Sequence, residues 1–220
     1  MIPPKQNADF VCDMEKVLEV YKRPYDSDFP VVCLDESPKQ LIGEIREPIK
    51  TESGKTLYDS EYVRNGVAEI YMIFEPLAGW RHIEIKDTHT RLDWAEVVSN
   101  LIETKYKDAK KVTLVEDNLS AHKPSAMYEL YEPERAKKIL DKIEFVFTPK
   151  HGSWLDMAES ELSVLTRQCI KGRIPDKEKL KKKIEAWEEI RNQKQVKTIW
   201  RFTTSDARIK LLKLYPTIIT

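Results

Sequence analysis

The sequence lacks a long hydrophobic run, because no apolar stretch approaches the ~18 residues that a membrane-spanning helix needs. Its first five residues also lack the basic-then-apolar organisation of a secretory signal. Internal repeats and low-complexity segments are absent too. These absences exclude a repeat protein and predict a cytoplasmic protein with no membrane partner.

Cysteine is scarce and unpaired. The three cysteines, Cys12, Cys33 and Cys169, are odd in number, lie far apart and form no CxxC pair. A disulfide framework needs an even set, and a zinc site needs closely spaced ligands. The pattern therefore predicts reduced thiols.

The chain also has no net charge, since 37 basic residues balance 37 acidic ones. A nucleic-acid-binding domain is expected to be basic overall, so the balance argues against such a partner. Residues 171–201 are an exception, with 11 Lys or Arg against 5 Asp or Glu. This region is interpreted as a solvated helix face, or alternatively as a surface that faces phosphates.

What the sequence does contain is enough apolar material, 41% of 220 residues, for one domain with a sizeable core. Periodicity and turn signals predict, in the first half of the chain, a helix at 9–21, a strand at 31–34 ending at Asp35, an irregular segment at 36–66 and a hairpin of strands 67–75 and 80–86. A helix at about 91–107, capped by Thr90 or Asp93, a strand at 111–115, a helical stretch at about 124–141 and a strand at 144–148 are predicted next. The last part is predicted to be helical, with helices at 156–170, from the Asp176 cap to 192, and from Thr204 or Ser205 to 214.

This order predicts an α/β fold in which a mixed sheet has helices on its faces, because a hairpin is followed by strand–helix–strand units. The ribonuclease H-like architecture has the same order, although other mixed α/β folds accommodate it.

Two aspartates follow the two most buried-looking strands, Asp35 in VVCLDES and Asp117 in VTLVEDN. Functional groups gather at the carboxyl edge of parallel strands, so neighbouring strands would bring the two carboxylates together. Two close anions are costly without a cation, and carboxylate oxygens suit Mg²⁺ or Mn²⁺. The alternative is that each aspartate only stabilises a turn.

A third acid is expected in the segment 147–161 (FTPKHGSWLDMAESE), which reads as a strand, a loop and a helix that opens with acids. A carboxylate in the first turn of this helix would complete a three-acid cluster. Glu159 and Glu161 flank the apolar stripe of the helix at similar angles, so helical geometry does not choose between them.

Three sequence blocks extend this reading: 31–41 (VVCLDESPKQL), 114–122 (LVEDNLSAH) and 148–165 (TPKHGSWLDMAESELSVL). They resemble the strand-plus-Asp, D-N-x-x-x-H and T-P-x-H-x-S-W-L-N-x-x-E blocks of DDE transposases in the mariner superfamily, specifically the bacterial insertion-sequence-six-thirty family. The segments 74–82 (FEPLAGWRH) and 200–208 (WRFTTSDAR) also look like family segments. The resemblance covers nearly the whole chain, and its third block is highly specific.

The resemblance implies a ribonuclease H-like catalytic domain that cleaves and joins DNA strands with two Mg²⁺ or Mn²⁺ ions. Asp35 would bridge both ions, while Asp117 and Glu159 would each hold one, which leaves Glu161 as a surface or support residue. The implied partners are transposon ends and target DNA at TA sites, bound by a homodimer associated with the bacterial nucleoid.

Further residues in the blocks have implied supporting roles. His122 and His151 could contact a phosphate or orient a carboxylate, or could simply be loop histidines bonded to the backbone. Asn118 could place a metal-bound water or merely stabilise its turn. Lys150 and Arg167 could contact phosphates. The sequence departs from the family at Asp156, where Asn is usual, and at Glu116, where an apolar residue is usual; both departures would add negative charge near the site, and Asp156 could cap the helix as Asn would.

The expected domain organisation is a linker and short helix at 1–30, a catalytic core at 31–172 and a C-terminal helical extension packed on the core at 173–220. Family members normally carry N-terminal helix-turn-helix modules, and none fits into residues 1–30. The rival hypothesis is therefore a non-catalytic DNA-binding or dimerising transposase fragment. A structure-specific or repair nuclease on the same fold is a third reading.

Overall fold

A computed structural model of the protein describes residues 5–217. Residues 1–4 of the predicted linker and short helix at 1–30, and residues 218–220 of the predicted C-terminal extension at 173–220, lie outside this range. The strands are β1 (Val31–Glu44), β2 (Ile49–Lys50), β3 (Thr56–Leu57), β4 (Tyr62–Glu75), β5 (Trp80–Lys86), β6 (Val112–Glu116) and β7 (Ile143–Phe147). The helices are α1 (Ala8–Tyr21), α2 (Arg91–Glu103), α3 (Met127–Leu130), α4 (Pro133–Asp141), α5 (Met157–Gln168), α6 (Lys177–Gln193) and α7 (Thr204–Lys210), with 3-10 turns at Pro124–Ala126, Ser153–Leu155 and Leu212–Leu214.

Five strands form one mixed sheet in the order β5-β4-β1-β6-β7. Strands β5, β4 and β1 are antiparallel neighbours, whereas β1, β6 and β7 run parallel. The parallel strands are joined by helical crossovers, which is the connection that parallel pairing requires. The predicted mixed sheet is confirmed. The condition on which the two aspartates would meet, that their strands are parallel neighbours, holds for β1 and β6.

A hydrophobic core lies on each face of the sheet. The first core contains buried side chains from α1, α5, α6 and α7 together with Cys33, Met72 and Val115 of the sheet. The second contains side chains from α2, α3 and α4 together with Val32 and Leu114. Because alternate residues of a strand point to opposite faces, odd-numbered residues of β1 and β6 face α5 and even-numbered ones face α2.

The predicted end of the first strand at Asp35 is wrong, and the predicted irregular segment at 36–66 is wrong at both ends, because only residues 45–61, with the short strands β2 and β3, lie between β1 and β4. Strand β1 continues to Glu44 and pairs with β4 from Cys33↔Phe74 to Glu44↔Tyr62. The parallel partner β6 pairs only with Val31, Val32 and Cys33, so the rest of β1 is an edge strand on that side. An edge strand tolerates polar residues and a proline, and because of this composition the sequence pattern did not predict a strand there.

Smaller corrections concern the helices. Helix α2 ends at Glu103, earlier than predicted, and Thr90 caps it in a capping box that also uses Asp93, so both predicted cap candidates take part. The stretch at 124–141 is divided into a 3-10 turn and two helices, and the last helix ends at Lys210. Within residues 5–217, no helix is both long and apolar enough to cross a membrane.

Candidate active site

Asp35 lies on β1, and Asp117 directly follows β6, the parallel neighbour of β1. Pairing of β1 with β6 runs from Val31↔Thr113 to Cys33↔Val115. Extension of this register by two residues places Asp35 opposite Asp117. Asp35 shares the face of Cys33, which is the face covered by α5. Asp117 lies beyond the end of β6, and its charge acts on Asp35.

The electrostatic surroundings of Asp35 show that other acids are close. Burial is the main cause that raises the pKa of Asp35 to about 7, and the charge of Glu36 adds to it. The charges of Asp117 and Glu159 raise it further. A hydrogen bond from the Glu36 N–H to Asp35 Oδ1, 2.8 Å long, opposes the shift. A crowded carboxylate of this kind is stabilised in its charged form by a cation.

Glu159 reaches the site from the first turn of α5. The Asp156 side chain caps this helix by accepting a hydrogen bond of 2.7 Å from the Ala158 N–H. The cap makes Glu159 the third residue of the helix, where the helix dipole favours a carboxylate. The side chain of Glu159 is exposed and its charge acts on Asp35.

Glu161, the alternative third acid, has a different environment. It is buried and accepts two hydrogen bonds from Arg191, of 2.8 and 3.0 Å. It also forms an ion pair of 3.0 Å with the fully buried Arg81. Two arginines therefore occupy its carboxylate, whereas Glu159 is exposed beside Asp35. The structure separates two acids that helical spacing left equivalent.

His122 lies between two acids of the site. Its Nδ1 is 2.8 Å from Asp117 Oδ1, and its Nε2 is 3.0 Å from Glu36 Oε2. Burial alone would lower its pKa, but the hydrogen bonds with Asp117 and Glu36, together with nearby carboxylate charge, raise the pKa of His122 to about 11. The ring also stacks on Trp94, with centroids 6.0 Å apart. The contacts of both ring nitrogens fix the position of His122, and His122 in turn holds the Asp117 carboxylate.

Sequence reasoning missed Glu36 and Trp94. Glu36 lies on the opposite face of β1 from Asp35, in a segment that was predicted to be irregular. Trp94 Nε1 donates a hydrogen bond of 2.9 Å to Glu116 Oε2 beneath the same histidine. The spacing of Asp117 and His122 within one block was the only signal of this network.

The two departures from the family pattern are both buried. Burial, with a contribution from the charge of Asp35, raises the pKa of Asp156 well above its ordinary value. Burial likewise raises the pKa of Glu116 to about 8, although His122 and Trp94 oppose the shift. Burial thus favours the neutral forms of Asp156 and Glu116, so the two residues add less negative charge near the site than was expected from the sequence. The expected capping role of Asp156 is confirmed.

The other predicted site residues lie around this centre. Asn118 is exposed directly after Asp117, and Lys150 and His151 are exposed in the loop before α5. His151 has a left-handed backbone, with φ of 68°. Arg167 is exposed in the last turn of α5, eight residues and ~12 Å along the helix from Glu159. It therefore lies at the other end of the helix from the three acids.

The donor chemistry of the site fits a hard divalent cation, because Asp35, Asp117 and Glu159 offer only carboxylate oxygens. The raised pKa of Asp35 is the expected signature of carboxylates gathered without a counter-charge. Among the side chains of residues 5–217, no three His, Cys, Asp or Glu lie close enough to enclose an ion as they stand. Binding would therefore require the carboxylates to draw together.

Comparisons with known proteins give the family and the fold of the chain. A family model described as DDE superfamily endonuclease matches residues 30–181. No curated protein has significant sequence similarity to the chain. Among solved structures, the Mos1 mariner paired-end complex with Mn superposes with a TM-score of 0.59 at 15% identity, covering 94% of this chain and 65% of that one. The catalytic domain of Mos1 mariner transposase superposes with a TM-score of 0.55 at 14% identity, covering 89% of this chain and 96% of that one.

A third similar structure is the Mos1 strand transfer complex, with a TM-score of 0.55 at 14% identity, covering 89% of this chain and 63% of that one. At such identities the likeness concerns the fold, which is the ribonuclease H-like mixed sheet with flanking helices that the sequence predicted. The chain spans less than two thirds of the length of the full transposase chains that it matches.

Proposed function

The chain belongs to the DDE superfamily of endonucleases, and we propose that it is the catalytic domain of a transposase that cleaves DNA strands and transfers them. One observation supports the proposal: Asp35 on β1, Asp117 directly after the parallel strand β6 and Glu159 in the first turn of α5 are near enough for the charges of Asp117 and Glu159 to act on Asp35. The match to the family model spans all three acids.

Each acid has a definite role in this proposal. Asp35, the most buried of the three, would be shared by two Mg²⁺ or Mn²⁺ ions, while Asp117 and Glu159 would each hold one. When bound, the ions would activate the attacking oxygen and stabilise the leaving oxygen. His122 keeps Asp117 oriented, and the Asp156 cap fixes the helical turn from which Glu159 extends.

Glu159 is favoured over Glu161 as the third acid on physical grounds. A metal ligand must be accessible to the ion, and the Glu161 carboxylate is buried between Arg191 and Arg81. Withdrawal of Glu161 would leave two arginines without their carboxylate in the interior, which is strongly unfavourable.

The proposed partner is DNA. The similar structures are described as paired-end and strand transfer complexes, with Mn or Mg in two of them. By the sequence resemblance, the chain would act on transposon ends and target TA sites as a homodimer, in a bacterial insertion-sequence-six-thirty element and at the nucleoid. We also propose the division into a linker at 1–30, a core at 31–172 and a C-terminal extension at 173–220.

A second candidate is a DNA-binding or dimerising fragment without catalysis. The observation that favours this candidate is that, among residues 5–217, no three His, Cys, Asp or Glu side chains lie close enough to enclose an ion. This candidate predicts DNA or subunit binding that is indifferent to the three acids.

Nicking of supercoiled plasmid with Mn²⁺ distinguishes the two candidates. We expect nicking by the unaltered chain and its loss, by 100-fold or more, in Asp35→Asn, Asp117→Asn and Glu159→Gln. Glu134→Gln, at an exposed position of α4, is the matched control and should retain full activity. Nicking that persists in all three acid variants would eliminate the catalytic proposal.

A further inference from the structure

A buried charge network connects the helix that carries Glu159 to two other elements. Its centre is Glu161 of α5, and its partners are Arg81 of β5 and Arg191 of α6. The side chain of Arg81 is fully buried, that of Glu161 is 4% exposed and that of Arg191 is 15% exposed. The network has one carboxylate for two guanidinium groups.

Both arginines are fixed by further contacts. Arg81 donates hydrogen bonds of 3.0 Å to the Gly79 carbonyl and 2.7 Å to the Val196 carbonyl. Its Nε is 3.0 Å from Glu161 Oε1, at a distance typical of an ion pair but outside hydrogen-bond geometry. Arg191 lies over the Trp187 ring, 4.9 Å from its centroid. The carboxylate of Glu161 is therefore held by groups that do not move easily.

The next residue of α6 strengthens the attachment to the sheet. Asn192 accepts a hydrogen bond of 2.9 Å from the Arg81 N–H and donates one of 2.8 Å to the Arg81 carbonyl. These bonds satisfy the outward backbone groups of edge strand β5. Consequently α6 and β5 form one rigid support, to which α5 is attached through Glu161.

Glu161 and Glu159 lie on nearly opposite sides of α5, because two residues turn a helix by about 200°. Fixing one carboxylate thus fixes the rotation of the helix that aims the other. A Glu carboxylate stands about 6 Å from a helix axis, so a rotation of roughly 10° moves it about 1 Å. Misplacement of that size can reduce catalysis on the order of 100-fold.

We infer that Glu161 is a positioning residue, which acts through Arg81 and Arg191 to set the rotation of α5 and thereby the place of the Glu159 carboxylate in the metal site. Apolar packing alone would permit the helix to turn or slide, whereas a two-pronged arginine–carboxylate contact has one geometry. The inference rests on the proposed function, since it assigns Glu159 to the metal.

The test measures metal binding and not only activity. Free Mn²⁺ is followed by electron paramagnetic resonance during titration of the full chain and of Glu161→Gln. Ile139→Ala is the matched control, because it opens a cavity in the core on the opposite face of the sheet and loses stability without touching α5. All measurements are made well below the unfolding midpoint of the least stable variant.

We expect Glu161→Gln to raise the Kd for Mn²⁺ by about 10-fold or more, as supporting contacts of metal ligands do. Ile139→Ala should stay within twofold of the unaltered chain. Arg191→Lys, which keeps the charge but loses the fork, should raise the Kd in the same direction by a smaller factor. If Glu161→Gln does not fold, Arg191→Lys decides by the same comparison with Ile139→Ala.

Unchanged Mn²⁺ affinity in both network variants would overturn the inference. Parallel titrations of Asp35→Asn and Glu159→Gln identify which proposal has failed. If these two bind Mn²⁺ as the unaltered chain does, the proposed metal site itself is wrong. If they lose affinity while Glu161→Gln and Arg191→Lys keep it, only the positioning role is wrong.

Discussion

Glu159 and Glu161 have the same side chain and lie on the same helix, but they differ in burial and in the groups that they contact. Glu159 is exposed and its charge acts on Asp35, whereas Glu161 is buried against two arginines. Neither residue type nor helical spacing predicts this difference. It arises because β5 and α6, which are distant in sequence, supply the partners of only one of the two.

His82 gives a pH-dependent contribution to stability. Its hydrogen bond with Glu188, 3.0 Å long, is the main cause that raises its pKa, against burial. Because the folded-state pKa is above the unfolded value, the stabilisation is full below about pH 6.5 and is lost as the pH rises through the folded-state pKa.

We therefore expect His82→Gln, which keeps a hydrogen-bonding group but removes the charge, to destabilise the protein at pH 5.5. The ring is 45% exposed, so the loss should be less than ~1 kcal/mol. Urea unfolding at pH 5.5 and at pH 9 measures it. An equal difference at both values would contradict the account.

Trp94 satisfies one oxygen of the buried Glu116 carboxyl, whose other oxygen has no hydrogen-bond partner. Trp94→Phe should therefore cost about 1–3 kcal/mol beyond its loss of packing, because a buried polar group loses its remaining partner. A double-mutant cycle with Glu116→Leu isolates this part by urea unfolding. A coupling energy near zero would show that the hydrogen bond contributes nothing.

At the scale of elements, the start of α5 depends on the Asp156 cap. Asp156→Ala should destabilise the protein by about 1 kcal/mol, because the Ala158 N–H loses its acceptor. Asp156→Asn keeps the acceptor and removes a buried ionisable group, so its stability should equal or exceed that of the unaltered chain. Urea unfolding of the pair checks this, and equal losses in Ala and Asn would refute it.

The β4–β5 turn depends on the close approach of another segment. Gly79 has a φ of 69°, and a Cβ there would lie 2.5 Å from the Gln195 backbone. Gly54 has a similar φ of 80° with open space around it. Gly79→Ala should therefore lower the free energy of unfolding more than Gly54→Ala, by at least ~1 kcal/mol in chemical denaturation. Equal losses would mean that the 195–196 backbone yields readily.

The sequence indicated some elements well and others poorly, for physical reasons. The short apolar runs before Asp35 and Asp117 are typical of strands buried on both faces, and both strands are present. Residues 36–44 of β1 were not recognisable, since they pair on one side only and carry polar side chains. Glu36, which contacts His122, lies in this segment and was therefore not predicted as a site residue.

At the scale of the whole molecule, internal contacts use part of the basic charge that is concentrated at residues 171–201. Several basic residues of the 171–201 region make internal contacts: Arg191 pairs with Glu161, and Arg173 pairs with Glu44 and lies over the Tyr62 ring. The excess of basic charge in that region is therefore not all available to phosphates. Composition counts Arg81 and its partner Glu161 as charged residues, but it does not reveal that both are buried.

The fold as a whole brings the site together from three separate regions. Two parallel strands supply Asp35 and Asp117, and the helix after the last strand supplies Glu159. The family match at 30–181 spans all three regions. The central claim is therefore geometric: the three carboxylates share metal ions.

Anomalous diffraction from crystals soaked in Mn²⁺ tests that claim most directly. The account predicts two anomalous peaks roughly 3.5–4 Å apart, with Asp35 contacting both and Asp117 and Glu159 each contacting one. Glu161 should remain bound to Arg191. Crystals that take up Mn²⁺ elsewhere, or a peak coordinated by Glu161 instead of Glu159, would contradict it.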